Sequence, residues 1–309
     1  MSGNNELIAS PSRTGAAGRD ERGFILVSVL WILAALATLA AVYSVYVGDA
    51  ASATHVNDDR LRIHAAILSG VELAAYKLAA APDDARPPHG NFAFRLGRSA
   101  IDVKFTAEGA RIDLNAAPKE MLAGLFAAVG ASPDDAANYA ARVMGWRNKG
   151  VVAGQNEEAA LYKSAGYAYA PRQAPFQNAL ELSLVLGLPI AIVERVLPFV
   201  TIFSGHGDID VRVADPTVLS ALPNASPDQI DQVMAQRAQP AEYGEALLKL
   251  LGTARANATV TTSPATRVDI RVRLDNGPVV RAEVVILILK GENEPFRVLS
   301  WREDADGSL

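Results

Sequence analysis

The chain has 309 residues, half of them apolar, and its 29 Lys plus Arg against 34 Asp plus Glu leave a formal charge of −5. That length accommodates one large or two moderate domains, and the mildly acidic balance argues against a nucleic-acid phosphate backbone as main partner. There is no cysteine, which excludes disulfides and thiolate metal sites, and His55, His64, His89 and His206 are too scattered for zinc-ligand spacing.

Residues 1–23 are charge-neutral, because Arg13, Arg19 and Arg22 offset Glu6, Asp20 and Glu21. At RDERGFILVSVLW the chain turns apolar, and Phe24 to Val47 is 24 residues without a charge. Such a helix is ~36 Å long, enough to cross a ~30 Å hydrocarbon core with some tilt. Tyr43 and Tyr46 suit the far interface, and the arginines before the span place residues 1–22 in the cytoplasm and the rest outside it. The run is too long for an ordinary secretory signal, whose apolar core is ~7 to 15 residues. Two readings remain: a plain signal anchor, or a leader cut between Gly23 and Phe24. The second reading uses the glycine, since a peptidase needs an extended, unhindered backbone at its cut.

Beyond the span, Leu61, Ala65, Leu68, Val71, Ala75 and Leu78 recur at three and four residues, which predicts an amphipathic helix to about Ala81. Pro82 and the DDARPPHGN run end it. Periodicity alone does not tell one long helix from a span followed by a second helix. Asn91 to Leu96 and Ala100 to Ala107 then alternate with period two and predict antiparallel strands. Near the other end, Arg267 to Leu274, a turn at Asp275-Asn276-Gly277, Val279 to Lys290 and Phe296 to Arg302 predict further strands. The strands bracket a helical, loop-rich middle.

That middle holds an internal repeat. Ile112 to Leu125 (IDLNAAPKEMLAGL) and Ile209 to Leu222 (IDVRVADPTVLSAL) align without gaps at an offset of 97. SPDDAANYAARVMGWR follows the first and SPDQIDQVMAQR the second, with Ser132 or Ser226 as N-cap and proline at the first helical position. The pattern is similar to helix-hairpin-helix modules, so a membrane-anchored DNA-binding protein is the alternative function. Phosphate binding by such a hairpin uses glycine-lined backbone amides and nearby cations. Here the turns are Val129-Gly130-Ala131 and Pro223-Asn224-Ala225, followed by Asp134, Asp135, Asp228 and Asp231. Structural use of the repeat, with no nucleic acid bound, is the favoured expectation.

No Gly-x-Ser-x-Gly, Walker, His-Glu-x-x-His or Gly-x-Gly-x-x-Gly motif is present, which disfavours a periplasmic hydrolase on a signal anchor. Ser204 to Asp210 (SGHGDID) places His206 near two acids, and reads foremost as a polar turn leading into the second repeat. Trp146, Tyr162, Tyr167 and Tyr169 read as packing residues.

Taken in order, RGFILVSVLWILAALA, IDLNAAPKEML, YAYAPRQAPFQNALEL, LPFVTIF (Leu197 to Phe203) and the second repeat resemble the type II secretion minor pseudopilin K family. The resemblance covers nearly the whole chain after Gly23. It implies an α+β, pilin-like fold: a long N-terminal helix on an antiparallel sheet, with a large inserted helical domain containing two helix-hairpin-helix-like units. The implied organisation is a prepilin leader (1–23), a transmembrane part of the N-terminal helix (24–48), pilin-like helix and first strands (49–111), inserted domain (112–253) and C-terminal strands (254–309). The implied role is non-enzymatic, at the tip of a periplasmic pseudopilus with minor pseudopilins I and J, in export of folded proteins across the outer membrane. Prepilin peptidase would free Phe24 for N-methylation, in an inner-membrane protein whose main domain is periplasmic. Ser28 then falls at the fifth mature position, where most pilin-like proteins carry a glutamate. A buried carboxylate there costs at least ~2.5 kcal/mol unless paired, so a subunit with nothing assembled ahead of it is served by an uncharged residue. Family structures contain calcium in the helical domain. Arg147 and Lys149 stand here where carboxylates are expected, leaving Asn148, Asn156, Glu157 and Glu158 as weak calcium candidates against a solvated loop.

Overall fold

The computed structural model describes residues 20–148, 157–237, 244–275, 279–289 and 294–304. The predicted turn residues Asn276 and Gly277 lie outside them. Helix α1 (Asp20–Ala79) contributes to two units, Met1–Leu61 and Arg62–Leu309. In the first unit, Ile25–Val47 is long and apolar enough to cross a membrane and buries nothing within the chain. Its hydroxyls at Thr38 and Ser44 donate to the carbonyls of Ala35 and Ala40 at 2.8 Å, so these side chains need no water.

In the second unit α1 lies on an antiparallel sheet. Ile63, Ala66, Ile67, Val71, Ala74, Ala75 and Leu78 are buried against strands β1 (His89–Leu96), β2 (Ser99–Ala107), β7 (Ala265–Leu274), β8 (Val279–Ile288) and β9 (Phe296–Asp304). Gly70 sets the contact distance, since a Cβ there would come within 3.3 Å of Val103 and Ile270. The predicted stripe departs from this face. Val71, Ala75 and Leu78 are buried, but Leu61, Ala65 and Leu68 are exposed. At 100° per residue the series begins off the sheet-facing side and reaches it only from Val71 onward, while the small alanines at 66 and 74 lie on that side and outside the series.

The strand order is β1-β2-β7-β8-β9. Ile101, Val103, Phe105, Val268, Ile270, Val272, Val280, Ala282 and Val284 face α1, and the intervening residues, mostly charged, form the opposite face. β2 and β7 pair directly, from Ser99 opposite Leu274 to Ala107 opposite Thr266. The helical insert therefore leaves and re-enters the sheet between two adjacent strands.

Within the insert the repeat is visible in three dimensions. β3 (Ile112–Asp113) pairs parallel with β4 (Val200–Thr201), and β5 (Ile209–Asp210) pairs parallel with β6 (Ala258–Thr259). α2 (Lys119–Ala128) and α3 (Pro133–Arg147) follow β3; α6 (Pro216–Ser220) and α7 (Pro227–Gln236) follow β5. Ser132 accepts from the Asp135 amide, and Ser226 forms a reciprocal capping box with Gln229. Gly130 (φ +98°) and Asn224 (φ +64°), each two residues before its cap serine, take the left-handed conformation that turns the chain between helices. Asparagine thus does in the second turn what glycine does in the first. The two units meet at Gly124 and Ala221, which are equivalent at the repeat offset, and a Cβ on Gly124 would collide with the Ala221 carbonyl. α4 (Glu157–Ser164), α5 (Ile190–Val196) and α8 (Gly244–Leu250) complete the helical core, in which Trp146, Tyr162 and Phe176 pack together.

Candidate functional site

Gly23 and Phe24 fall within the first turns of α1. An extended backbone at Gly23 therefore requires these turns to unwind, which glycine eases by roughly 1 kcal/mol relative to alanine. Ser28 follows just over one helical turn beyond Phe24 on the same helix.

The junction between sheet and insert is built around a buried carboxylate. Glu108, fully buried in the turn after β2, accepts from Arg267 of β7 through Nε at 2.8 Å and Nη2 at 3.2 Å. Arg111 reaches it at 3.4 Å, and the Thr201 hydroxyl of β4 bonds its other oxygen. Arg267 continues to Glu283 at 2.9 Å, and Glu283 to Arg302 of the edge strand at 3.5 Å. Burial opposes the charge on Arg267, yet hydrogen bonds and charge from Glu108 and Glu283 more than compensate and raise its pKa. Arg111 moves the other way, lowered by burial and by the neighbouring Arg267. An ion pair this deep is stable only with both partners in place.

The repeats are held by matched polar contacts. The Asp113 carboxylate accepts from the Asn115 amide at 2.8 Å, and Asp210 from the Arg212 amide at 3.0 Å. Asp113 also takes the Ser204 hydroxyl and the Gly205 amide, while Asp210 is gripped by the Arg212 guanidinium. His206 is exposed beside this turn, and Asp210 is committed to Arg212. Asn115 exchanges two hydrogen bonds with the Phe176 backbone, at 2.7 and 3.0 Å, and so pins the YAYAPRQAPF loop. Burial lifts the Tyr162 hydroxyl to a pKa of about 12, even though it accepts the Leu186 amide at 2.8 Å.

At the first hairpin the amides of Gly130 and Ala131 donate back to Ala127 and Phe126, and Arg195 donates to the Val129 carbonyl at 2.8 Å. Amides engaged this way are not presented to a phosphate.

Of the calcium candidates, Asn156 lies outside the described residues. Asn148 caps the C-terminus of α3, and Glu157 begins α4. Glu158 binds Arg142 at 2.8 Å through one oxygen; its other oxygen is buried without a partner. Gly145 makes room for it, since a Cβ there would lie 2.6 Å from the Glu158 carboxyl carbon. Hard cations take six to eight oxygens, several charged. Among the described residues no cluster of three metal-ligating side chains occurs.

Residues 104–205 match the family described as type II secretion system, protein K. The chain carries a type II secretion protein K domain. That segment runs from the middle of β2 through the first repeat to the turn at Gly205. The fold is similar to a chain in the crystal structure of the GspK–GspI–GspJ complex from the enterotoxigenic Escherichia coli type 2 secretion system. The TM-score is 0.55 at 16% identity, covering 82% of this chain and 98% of that one. No curated protein sequence matches significantly. The protein K domain bears out the family resemblance, and the mixed helix and antiparallel-sheet architecture agrees with the expected fold. The family points to a pseudopilin in secretion, and the apolar N-terminal helix is compatible with a single-pass anchor.

Sequence reasoning missed the pairing of Glu108 with Arg267, because the two are 159 residues apart and no local pattern joins them. It read Arg147 only as a basic residue against calcium and passed over Arg237, although both end their repeat sequences and that shared ending was a usable signal.

Proposed function

We propose that this protein is a minor pseudopilin that caps the tip of a type II secretion pseudopilus and acts by assembly, not catalysis. The observation that carries this reading is the protein K match over residues 104–205, in a helical insert placed between two adjacent strands of a sheet backed by α1. An insert of that bulk on one face of a thin filament suits a terminal position better than a repeated one. Peptidase cleavage after Gly23, methylation of Phe24, insertion in the inner membrane and a periplasmic main domain belong to the same proposal. Ser28, uncharged at the fifth mature position, is consistent with a subunit that has no predecessor to pair with. Minor pseudopilins I and J are the proposed partners, by analogy with the complex named above. Deleting the gene and assaying export of a type II substrate tests the role. Loss of export restored by the wild-type chain supports it, and unchanged export contradicts it.

A further inference from the structure

The two edges of the five-stranded sheet are built differently. β9 is guarded: a register shift at Val285 and Ile286 marks a bulge, and Arg297, Arg302, Glu303 and Asp304 charge the strand. Bulges and charges are the usual means by which an edge refuses a further strand. β1 lacks the bulge and most of the charge. Its 8 residues pair with β2 without a break in register, and Arg95 is the one Lys, Arg, Asp or Glu within them. The register also assigns the open side of β1. The Ala107 amide donates to the Pro88 carbonyl at 2.7 Å, and hydrogen-bonded positions recur at every second residue of an antiparallel pair. Gly90, Phe92, Phe94 and Leu96 therefore bond to β2, while the N–H and C=O groups of His89, Asn91, Ala93 and Arg95 point away from the sheet. Among the described residues none of these outward backbone groups has a hydrogen-bond partner.

On the face toward α1, Phe92 and Phe94 stack with ring centroids 6.2 Å apart and are only partly buried at the margin of the core. The Lys77 ammonium lies 5.1 Å from the Phe92 ring centroid, and among the described residues no carboxylate pairs with it. We propose that β1 accepts an extended segment of a partner protein as a further antiparallel strand, with an apolar side chain opposite Phe94 and an acidic one opposite Phe92. Main-chain bonds to Asn91, Ala93 and Arg95 supply affinity, and side chains on alternate residues supply specificity. Because the backbone groups of Phe92 and Phe94 face β2, the added residues opposite them form the closer, non-hydrogen-bonded pairs, with Cα atoms ~4.5 Å apart. An apolar side chain there extends the covered face over Phe94, and a carboxylate beside Phe92 meets Lys77. The contact is independent of where the chain sits in a filament.

The test uses the full chain in detergent micelles and dye-labelled heptapeptides capped at both ends. The parent is Ser-Thr-Val-Thr-Glu-Thr-Ser, whose Val, central Thr and Glu fall opposite Phe94, Ala93 and Phe92. One control is N-methylated at the central Thr, and the other carries Lys in place of Glu. Fluorescence polarisation should show the parent binding about tenfold or more tightly than either control, an interval of roughly 1.4 kcal/mol. Ala93→Pro removes an outward N–H without touching a bond to β2, a change that edge strands tolerate. With native circular dichroism, this variant should bind the parent at least about tenfold more weakly. Asn91→Pro, which removes the next outward N–H, is the second variant should the first fail to fold. Lys77→Gln should reduce the preference for Glu over Lys at least about threefold. No binding of the parent, equal binding of the N-methylated peptide, or unchanged binding by a folded proline variant overturns the proposal, as does a Glu preference untouched by Lys77→Gln. Dimerisation of the wild-type chain that Ala93→Pro abolishes overturns it in favour of pairing between two copies.

Discussion

Arg147 and Arg237 make the same contact in the two halves of the insert. Arg147, at the end of α3, donates to the carbonyls of Leu114 and Ala117, and Arg237, just after α7, donates to those of Val211 and Ala214. Leu114 and Val211, and likewise Ala117 and Ala214, are equivalent at the repeat offset, so each arginine ties the helix end back to the loop that opens its own unit. Burial lowers the pKa of both arginines, which marks these contacts as partly dehydrated. Replacing either by methionine keeps bulk but removes charged hydrogen bonds worth ~1.5–3 kcal/mol each and leaves two carbonyls unpaired. Denaturant unfolding should show a loss of about 3 kcal/mol for Arg147→Met. A loss below about 0.5 kcal/mol would show that the contact does not hold the repeat together.

Glu108 predicts a graded series. Glu108→Ala removes the buried carboxylate between Arg111 and Arg267, leaves Arg267 with Glu283 alone and should cost ~3 kcal/mol. At the far end of the same chain of charges, Arg302 is exposed and meets Glu283 at 3.5 Å, so Arg302→Gln should cost under ~1 kcal/mol. Chemical denaturation of the two variants side by side checks the order, and equal costs would contradict a junction centred on Glu108.

Asp269 gives a pH dependence with a definite sign. Burial and the charge of Glu283 raise its pKa in the folded protein above its unfolded value. The folded state then holds the proton more tightly, so this group favours folding below the unfolded pKa and loses that contribution as pH rises through the folded pKa. Asp269→Asn should therefore raise the melting temperature at pH 7 and leave it nearly unchanged near pH ~3.5, below the usual aspartate value. A variant less stable than wild type at pH 7 would contradict the sign.

Gly124 and Ala221 bring the two repeat units into backbone contact, and a side chain at 124 has nowhere to go. Gly124→Val should destabilise the insert by more than ~1 kcal/mol through overpacking. Gly130→Ala, at a left-handed turn where the nearest atom to a Cβ is the end of the Arg195 side chain at 3.2 Å, should cost ~1 kcal/mol from backbone strain. Thermal melts that rank the two the other way would show that the turn, not the contact, limits packing.

Local chemistry made much of this fold legible in the sequence. The cap serines and their prolines announced α3 and α7, period-two alternation announced β1, β2, β7 and β8, and the charge-free run announced the apolar part of α1. The helix face against the sheet was harder to read, because Ala66 and Ala74 bury against strands without standing out from the other alanines. The strand roles of Ile-Asp in each repeat depend on partners 88 and 49 residues away, Val200 for Ile112 and Ala258 for Ile209. Contacts of that separation leave no local trace. The charge pattern of the outer sheet face was equally hidden, since strand register, not composition, sets Asp269 between Lys104 and Glu283.

Assembly with the two other minor pseudopilins is the central claim, and co-isolation tests it most directly. The tagged full chain is expressed with pseudopilins I and J from the same secretion system, extracted in mild detergent and resolved by size exclusion. One peak containing all three chains is expected, with Phe24 found as the N-terminus by protein sequencing. Separate elution of this chain from both partners at micromolar concentration would contradict it.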